Sequence, residues 1–341
     1  MISDDSSVGR PATVHDVARR AGVSAQTVSR LVKGFDGIRP ATRERVLAAI
    51  EELGYRPNLA ARLLRTRRST RIGALIHNMF ERGPGQLLRG AASEARSSGY
   101  SLNIRGVDGL DESSIDEAFD LFEEEQVAGI VVVTLTEELR AAVRRRSAEI
   151  PIMVDPAEAA GSLPTTGETG GRVAAEHLLS LGHRRLGFLG GPPHWVPSEQ
   201  RRRGFVTALV NEGATVMAEW HGDWTPAAGA SAALEFDPRS GITAIFVAND
   251  AMAIGLMHGL MRRGIGVPEQ VSVVGFDDIP EAPYLTPELT SVRPDFEGEG
   301  RNAIVALVAA VERRPPIAVV QPISELIVRR STGPVSSRTL R

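Results

Sequence analysis

The chain of 341 residues contains no cysteine and a single lysine, Lys33. The first absence excludes disulfide scaffolds, cysteine-ligated zinc, iron–sulfur clusters and cysteine nucleophiles. The second excludes a P-loop nucleotidase, because no Walker A pattern precedes Lys33. A GxGxxG turn after the first apolar strand is also missing, as are HExxH and GxSxG. Adjacent Asp277 and Asp278 at a strand exit read as a turn with one ligand contact rather than an acid–base pair. No enzyme activity, cofactor or metal is therefore expected. No apolar run is long enough to span a bilayer, and the stretch Met1–Thr13 has no basic region followed by an apolar one. The expectation is a protein without secretory signal or membrane contact, in the cytoplasm. No repeat of 20–50 residues suggests a solenoid.

What is present is a soluble globular composition, 42% hydrophobic and 24% charged, on a chain long enough for a small module plus a large core. The net charge of −3 hides an asymmetry. Residues 1–71 hold 14 Lys/Arg against 7 Asp/Glu, which leaves 25 against 35 for residues 72–341. A basic head on an acidic body fits nucleic-acid contact by the head alone.

Residues 13–56 read as three short helices. Thr13 is placed to cap the first, with Asp16 as the acidic half of a capping box, and Gly22 to end it. Ser24 is placed to cap a second helix through Leu31. Val17, Ala18, Ala21, Val23, Val28 and Leu31 would share a small core with Val46, Ile50 and Leu53 on the third helix. This is a helix-turn-helix, whose second helix enters the major groove. Only the exposed face near the start of that helix reaches base edges, which selects Ala25, Gln26 and Arg30: Gln pairs with adenine, Arg with guanine, and Ala touches a thymine methyl. Thr27, Ser29 and the amides near Ser24 suit phosphate. Thr13 and His15, at the start of the first helix, complete the candidate DNA contacts.

From residue 71 onward apolar strands alternate with amphipathic helices. The strands are 72–77, 100–105, 128–133, 151–154, 186–190, 242–248 and 271–276, a pattern that predicts parallel sheets covered on both faces. Ligands bind beyond the carboxyl ends of such strands, which nominates His77, Asp155, Asn249 and Asp277. Phe80, in the loop after the first strand, is a further candidate, and Trp195 is a candidate aromatic platform. Glu325 and Arg329 read as strand-face charges.

The stretch TVHDVARRAGVSAQTVSRLVKG, followed by TRERVLAAIEELGYRPNLAARLLRTRRSTRIGAL, closely resembles the headpiece of LacI/GalR regulators over some 60 contiguous residues. EHLLSLGHRRLGFLGG, FVANDAMAIGL and VVGFDDIPEAPYLTPELTSVRPDF resemble the core of the same family. The resemblance implies an all-α helix-turn-helix headpiece (13–56) after a flexible tail (1–12), and a hinge helix and linker (57–70). It further implies an α/β periplasmic-binding-protein-like core of two lobes with parallel sheets (71–330), then a tail (331–341). The lobe next to DNA would comprise about 72–162 and 293–323, and the distal lobe about 163–292 and 324–330. Asn58, Ala61 and Leu64 would lie on the hinge helix, with Leu64 wedging into the minor groove. Leu59, Ala60, Ala61, Leu63 and Leu64 give an apolar helix too short to be stable alone, which agrees with a segment that needs a partner. Arg201, Asn249 and Asp277 match the family's polar effector ligands, and Trp224 and Phe296 its aromatic pocket walls. Gly167 and the loop HNMFERG (77–83) depart from the family pattern. The resemblance implies a repressor acting as a homodimer on double-stranded, near-palindromic operator DNA. Its operator affinity would respond to a small-molecule effector in the interlobe cleft, a carbohydrate being expected; the alternative is a corepressor mechanism with a nucleobase or phosphorylated metabolite. The tail is too short for tetramerising leucine heptads.

Overall fold

The computed structural model describes residues 12–32, 35, 37–55, 69–77, 82–133, 136–146, 150–154, 164–193, 195–315 and 323–335. They belong to two compact units, Met1–Arg68 and Ser69–Arg341.

The first unit holds helices α1 (Val14–Ala21), α2 (Ala25–Val32) and α3 (Pro40–Glu52). Each boundary has a local cause. The Thr13 backbone N–H donates to the Asp16 carboxylate at 2.9 Å and the Asp16 N–H donates back to Thr13 Oγ1 at 3.4 Å, a closed capping box. Gly22 ends α1 in the left-handed region at φ 64°. The Thr27 N–H donates to Ser24 Oγ at 3.2 Å, which opens α2. Pro40 sits in the first turn of α3, where its missing N–H costs nothing. Val17, Val28 and Val46 are fully buried between the three helices, with Val23, Ile50 and Leu53 packed around them.

The second unit has two lobes. The first is a parallel four-stranded sheet, order β2-β1-β3-β4, of β1 (Arg71–His77), β2 (Ser101–Val107), β3 (Gly129–Val133) and β4 (Ile152–Met153). Phe119 and Phe122 of α5 (Glu112–Glu124) and Leu139 of α6 (Glu137–Arg146) cover one face. Ala91 of α4 (Arg82–Ser97) and Ile304 and Leu307 of α11 (Phe296–Val311) cover the other.

The second lobe is a six-stranded sheet, order β10-β9-β8-β7-β5-β6. Its strands are β5 (Arg185–Gly190), β6 (Thr215–His221), β7 (Ala244–Val247), β8 (Ser272–Phe276), β9 (Thr290–Pro294) and β10 (Ser324–Ile327). Helices α7 (Thr166–Ser180) and α8 (Val196–Asn211) pack against each other, as do α9 (Pro226–Glu235) and α10 (Asp250–Arg262). Phe188, Phe205, Phe246 and Phe276 form a continuous aromatic core, with ring centroids 4.9 Å apart for Phe205 and Phe246 and 6.4 Å for Phe246 and Phe276. The chain enters this lobe before α7, leaves between β9 and α11, and returns before β10.

Four features differ from the sequence reading. β6 is an edge strand whose side chains alternate between exposed and half-buried, so it offers no apolar run. β9 buries Thr290 and Ser291, polar residues that are accommodated only through long-range partners: the Thr290 N–H donates to Ser331 Oγ and Ser291 Oγ donates to Asp250. β10 runs antiparallel to β9. Residues 331–335, set apart as a tail by sequence, pack against the start of the interior strand β8: Ser331 is fully buried and bonds Val273 through both backbone and side chain. Among the described residues no helix is long and apolar enough to cross a membrane.

Candidate functional site

On the first unit, the caps that define α2 also set which side chains face outward. Val28 and Leu31 turn into the core, and Gln26 and Arg30 lie on the exposed face with Ser24. Ala25, Thr27 and Ser29 are half-buried beside them, as is Thr13; His15 is exposed on α1. The hydroxyls of Ser24 and Thr27 are 2.9 Å apart. The guanidinium of Arg30 stacks over the Phe35 ring at 3.9 Å, a contact the sequence reading missed, because a residue beyond the helix end shows no periodic signal. Asn58, Ala61 and Leu64 lie outside the described residues.

On the second unit, the carboxyl ends of the strands open onto one cavity of about 120 Å³. Six of the nine residues predicted for the effector line it: Trp195, Arg201, Trp224, Asn249, Asp277 and Phe296. Phe80 and Asp155 fall outside the described residues. His77 is not a lining residue; it lies behind the wall, its Nδ1 accepting the Gly109 N–H at 2.9 Å and its ring edge-on to Trp195 at 4.9 Å.

Arg201 is positioned by backbone packing. Helices α7 and α8 approach so closely that a Cβ on Gly171 would strike the Arg201 carbonyl and a Cβ on Gly204 the Glu168 carbonyl. The Arg201 side chain, only 7% exposed, then runs beneath the cavity. It donates to the Ala248 carbonyl, stands 3.9 Å from the Asp277 carboxylate, and lies over the Phe276 ring at 3.9 Å and near that of Trp224 at 5.4 Å.

Trp224 adopts a left-handed backbone, φ 70°, which costs a non-glycine residue of order 1–3 kcal/mol. Asn249 holds it there: its Nδ2 donates to the Trp224 carbonyl at 3.0 Å while its Oδ1 caps α10 by accepting the Met252 N–H at 2.9 Å. Gly191 leaves the space the indole fills, since a Cβ there would overlap it. The Trp224 Nε1–H is buried with no acceptor among the described residues. Trp195, 8% exposed, lies 5.6 Å from Trp224, and its backbone bridges to Thr136 of the first lobe.

Asp277 and Asp278 both have positive φ, 107° and 46°, on the turn leaving β8. The turn divides their tasks. Asp277 faces the cavity. Asp278 points away from it and takes Arg293 Nε at 2.8 Å and an Arg329 amino group at 2.6 Å. Arg329 is thus a buried partner of Asp278, its side chain 12% exposed, and not the solvated strand-face charge its position suggested. Beneath the turn Asp250 is fully buried; burial first, and then the like charge of Asp277, raise its carboxyl to about 7, against hydrogen bonds from Ser291 Oγ and the Ile279 N–H.

Sequence reasoning missed several lining residues, among them Thr166, Gln200 and Glu299. Two had a signal: Gln200 adjoins Arg201, and Glu299 is one helical turn from Phe296. Gly167, where the family pattern was departed from, faces Gln200, whose Cβ would be 2.9 Å from a Cβ placed there. No cluster of acidic or histidine side chains suited to a metal occurs among the described residues.

Comparison with known proteins agrees with this geometry. Residues 13–58 match "Bacterial regulatory proteins, lacI family", and residues 175–332 match "Periplasmic binding protein-like domain". The chain is 32% identical to the lactose operon repressor of Escherichia coli (strain K12) over 301 residues, covering 86% of this chain and 83% of that protein. It is also 32% identical to the HTH-type transcriptional repressor PurR of Vibrio vulnificus (strain CMCP6) over 330 residues, 93% and 98% of the two chains. Among solved structures, the lac repressor dimer bound to operator and the anti-inducer ONPF superposes with a TM-score of 0.79 at 29% identity, covering 95% of this chain and all of that one. The complex of the transcriptional regulator CelR with cellobiose gives a TM-score of 0.67 at 27% identity over 94% and 99%. A capped helix-turn-helix joined in one chain to a two-lobed α/β unit with a cleft at its strand ends, with these relatives over nearly its full length, makes this protein a member of the LacI family of DNA-binding transcriptional repressors, a non-enzymatic family with a periplasmic-binding-protein-like effector domain.

Proposed function

We propose that the protein is a homodimeric repressor of a near-palindromic operator and that a neutral, hydroxylated small molecule, a sugar, bound in the cleft of the second unit lowers its operator affinity. The observation that carries the effector assignment is the internal charge balance at Arg201. Its guanidinium already faces the Asp277 carboxylate and the Ala248 carbonyl, so it can present hydrogen bonds to vicinal hydroxyls without demanding an anion. The indole of Trp224 beside it suits the apolar face of a sugar ring. A relative complexed with cellobiose supports this chemistry.

Toward DNA, Gln26 and Arg30 are the base-reading residues, with Ala25 against a thymine methyl. Thr13, His15, Ser24, Thr27 and Ser29 serve phosphates, and Asn58, Ala61 and Leu64 form the hinge contacts at the operator centre. Two-fold operator symmetry requires two headpieces, hence a dimer. Ligand contacts that differ between lobe arrangements would shift the operator-competent population.

The test is a thermal-shift screen of the full chain against mono- and disaccharides, sugar phosphates and nucleobases. A site ligand at 100 times its Kd stabilises by about 2.7 kcal/mol. A sugar hit that also changes operator affinity is the expected result. A hit confined to nucleobases or sugar phosphates overturns the carbohydrate assignment and leaves the DNA-binding half intact.

A further inference from the structure

The headpiece keeps an aromatic residue outside its core. Phe35, just beyond α2, is 47% exposed and takes no part in the apolar cluster that Ile38, three residues on, helps to fill. Its ring is nevertheless held in one place. The Phe35 N–H donates to the Arg30 carbonyl at 3.1 Å, which turns the chain back over the last turn of α2. Gly37 leaves the ring its space, since a Cβ there would lie 2.5 Å from the ring edge. The Arg30 guanidinium then lies over the ring, 3.9 Å from its centroid.

A stack of this kind uses one face of the guanidinium and leaves its rim available, because all five N–H donors point outward in the plane of the group. The rim is what pairs edge-on with O6 and N7 of a guanine in the major groove. An arginine on a solvated helix face otherwise has to fix several side-chain torsions when it meets DNA, and the lost rotamer freedom opposes binding. Arg30 is exposed on its helix, and Phe35 confines it before any DNA arrives. A mobile arginine also reaches phosphate oxygens as readily as base edges, and phosphates carry no sequence information. Confinement therefore acts on specificity more than on overall affinity.

We infer that Phe35 is a positioning residue for sequence recognition: it stacks on Arg30 and presents the guanidinium edge-on to one guanine, so that the base preference there depends on a ring that itself reads no base. The inference rests on the reading of Arg30 as a base-contacting residue and adds how its choice is sharpened.

The experiment starts from a library of random-sequence duplexes, from which the full wild-type chain selects its operator. Affinities for that duplex, and for duplexes changed one base pair at a time, are then compared among the wild type, Arg30→Ala, Phe35→Leu, Phe35→Tyr and the Arg30→Ala, Phe35→Leu double variant. Arg30→Ala should lower the preference at one base pair of each half-site by about 5-fold or more. Phe35→Leu should lower the preference at that same pair by about 2- to 5-fold and leave the other positions as they are, while Phe35→Tyr, which keeps the stack, retains it. On the Arg30→Ala background Phe35→Leu should have no further effect. Gly37→Ala, which fills the ring's space, takes the place of Phe35→Leu if that variant fails to fold, with the same outcomes expected. An unchanged preference in the folded variant overturns the inference. So does a loss spread equally over all duplexes, a loss at a pair that Arg30→Ala leaves alone, or a loss that persists undiminished in the double variant. Arg30→Ala that changes no base preference overturns the base-reading assignment and the inference together.

Discussion

Arg201 concentrates the energetics of the cleft in one side chain. It is buried, stacked on Phe276 and faced by Asp277, so removing it strips a desolvated carboxylate of its partner. Arg201→Ala should therefore cost stability as well as ligand binding, about 3 kcal/mol by urea unfolding. An Arg201→Ala, Asp277→Ala double variant should recover part of that loss, and an additive double variant would show that the pair is not coupled. Asp250 makes a separate, pH-dependent prediction. Its carboxyl rises from 3.8 to about 7 on folding, so the native state holds a proton that the unfolded chain releases. The stabilisation is full below about pH 4 and is lost as pH rises through 7. Buried His183 acts in the opposite sense. Desolvation lowers its pKa from 6.5, so its contribution is intact above that value and declines as pH falls below it. Asp250→Asn, isosteric with the protonated acid, should remove this group's share of the fall in Tm between about pH 4 and 7, leaving the opposing contribution of His183 in place. An unchanged pH dependence over that range in the variant would assign the fall to another group. In the headpiece, replacing Gln26 or Arg30 should relax base choice by about 1–3 kcal/mol at one operator position, as read by binding to operators changed one base pair at a time.

Helices meet in this fold through reciprocal glycines. Gly171 of α7 lies on the backbone of α8 at Arg201, and Gly204 of α8 lies on α7 at Glu168. The same arrangement recurs with Gly229 and Gly255 between α9 and α10, and with Gly90 and Gly300 between α4 and α11. A methyl group on Gly171 must push the Arg201 backbone itself, and one on Gly204 must part α8 from α7 at Glu168, three residues from the root of the guanidinium. Gly171→Ala and Gly204→Ala should each lower stability by about 1–3 kcal/mol and also weaken ligand binding. A variant that loses stability but binds normally would show that α8 can shift without moving the site. At this scale the sequence was legible wherever a local signal existed. Thr13 with Asp16, Gly22 and Ser24 announced the headpiece helices, and the apolar runs announced β1, β3, β5, β7 and β8. It was opaque where partners come from far away. Ser291 on β9 is tolerable only because Asp250, 41 residues earlier, accepts its hydroxyl proton. Arg329 reads as solvated until Asp278, 51 residues before it, closes on its guanidinium. The polar groups of the cleft were nominated by strand ends and family resemblance, whereas its lining residues Leu87, Val132 and Val154 look like ordinary core in the sequence.

In the second unit the two lobes are joined by three crossings, and Asp278 grips the flanks of two of them. Its carboxylate binds Arg293, just before the chain leaves β9 for α11, and Arg329, just after the returning strand β10. Its backbone N–H donates to Ser291 Oγ at 3.1 Å, and its carbonyl accepts from Arg82 of the first lobe at 3.3 Å. The neighbouring Asp277 faces the cleft, so one turn with two consecutive left-handed residues connects the ligand's position to both crossings. A residue built this way should matter more to communication than to binding. Asp278→Asn keeps the shape of the turn and every cavity-lining side chain, while replacing two buried charge-assisted contacts with a neutral amide. The protein should lose about 2–4 kcal/mol of stability, because Arg329 is left buried with its charge uncompensated. Backbone hydrogen exchange should accelerate in β9 and β10 ahead of the rest of the second sheet. Once an effector has been found by the screen above, its Kd should stay within a few-fold of the wild-type value while the change in operator affinity per bound ligand shrinks. If binding and response fall together, Asp278 belongs to the ligand site; if neither changes, the lobes communicate through the first crossing and the clasp is only a fastening.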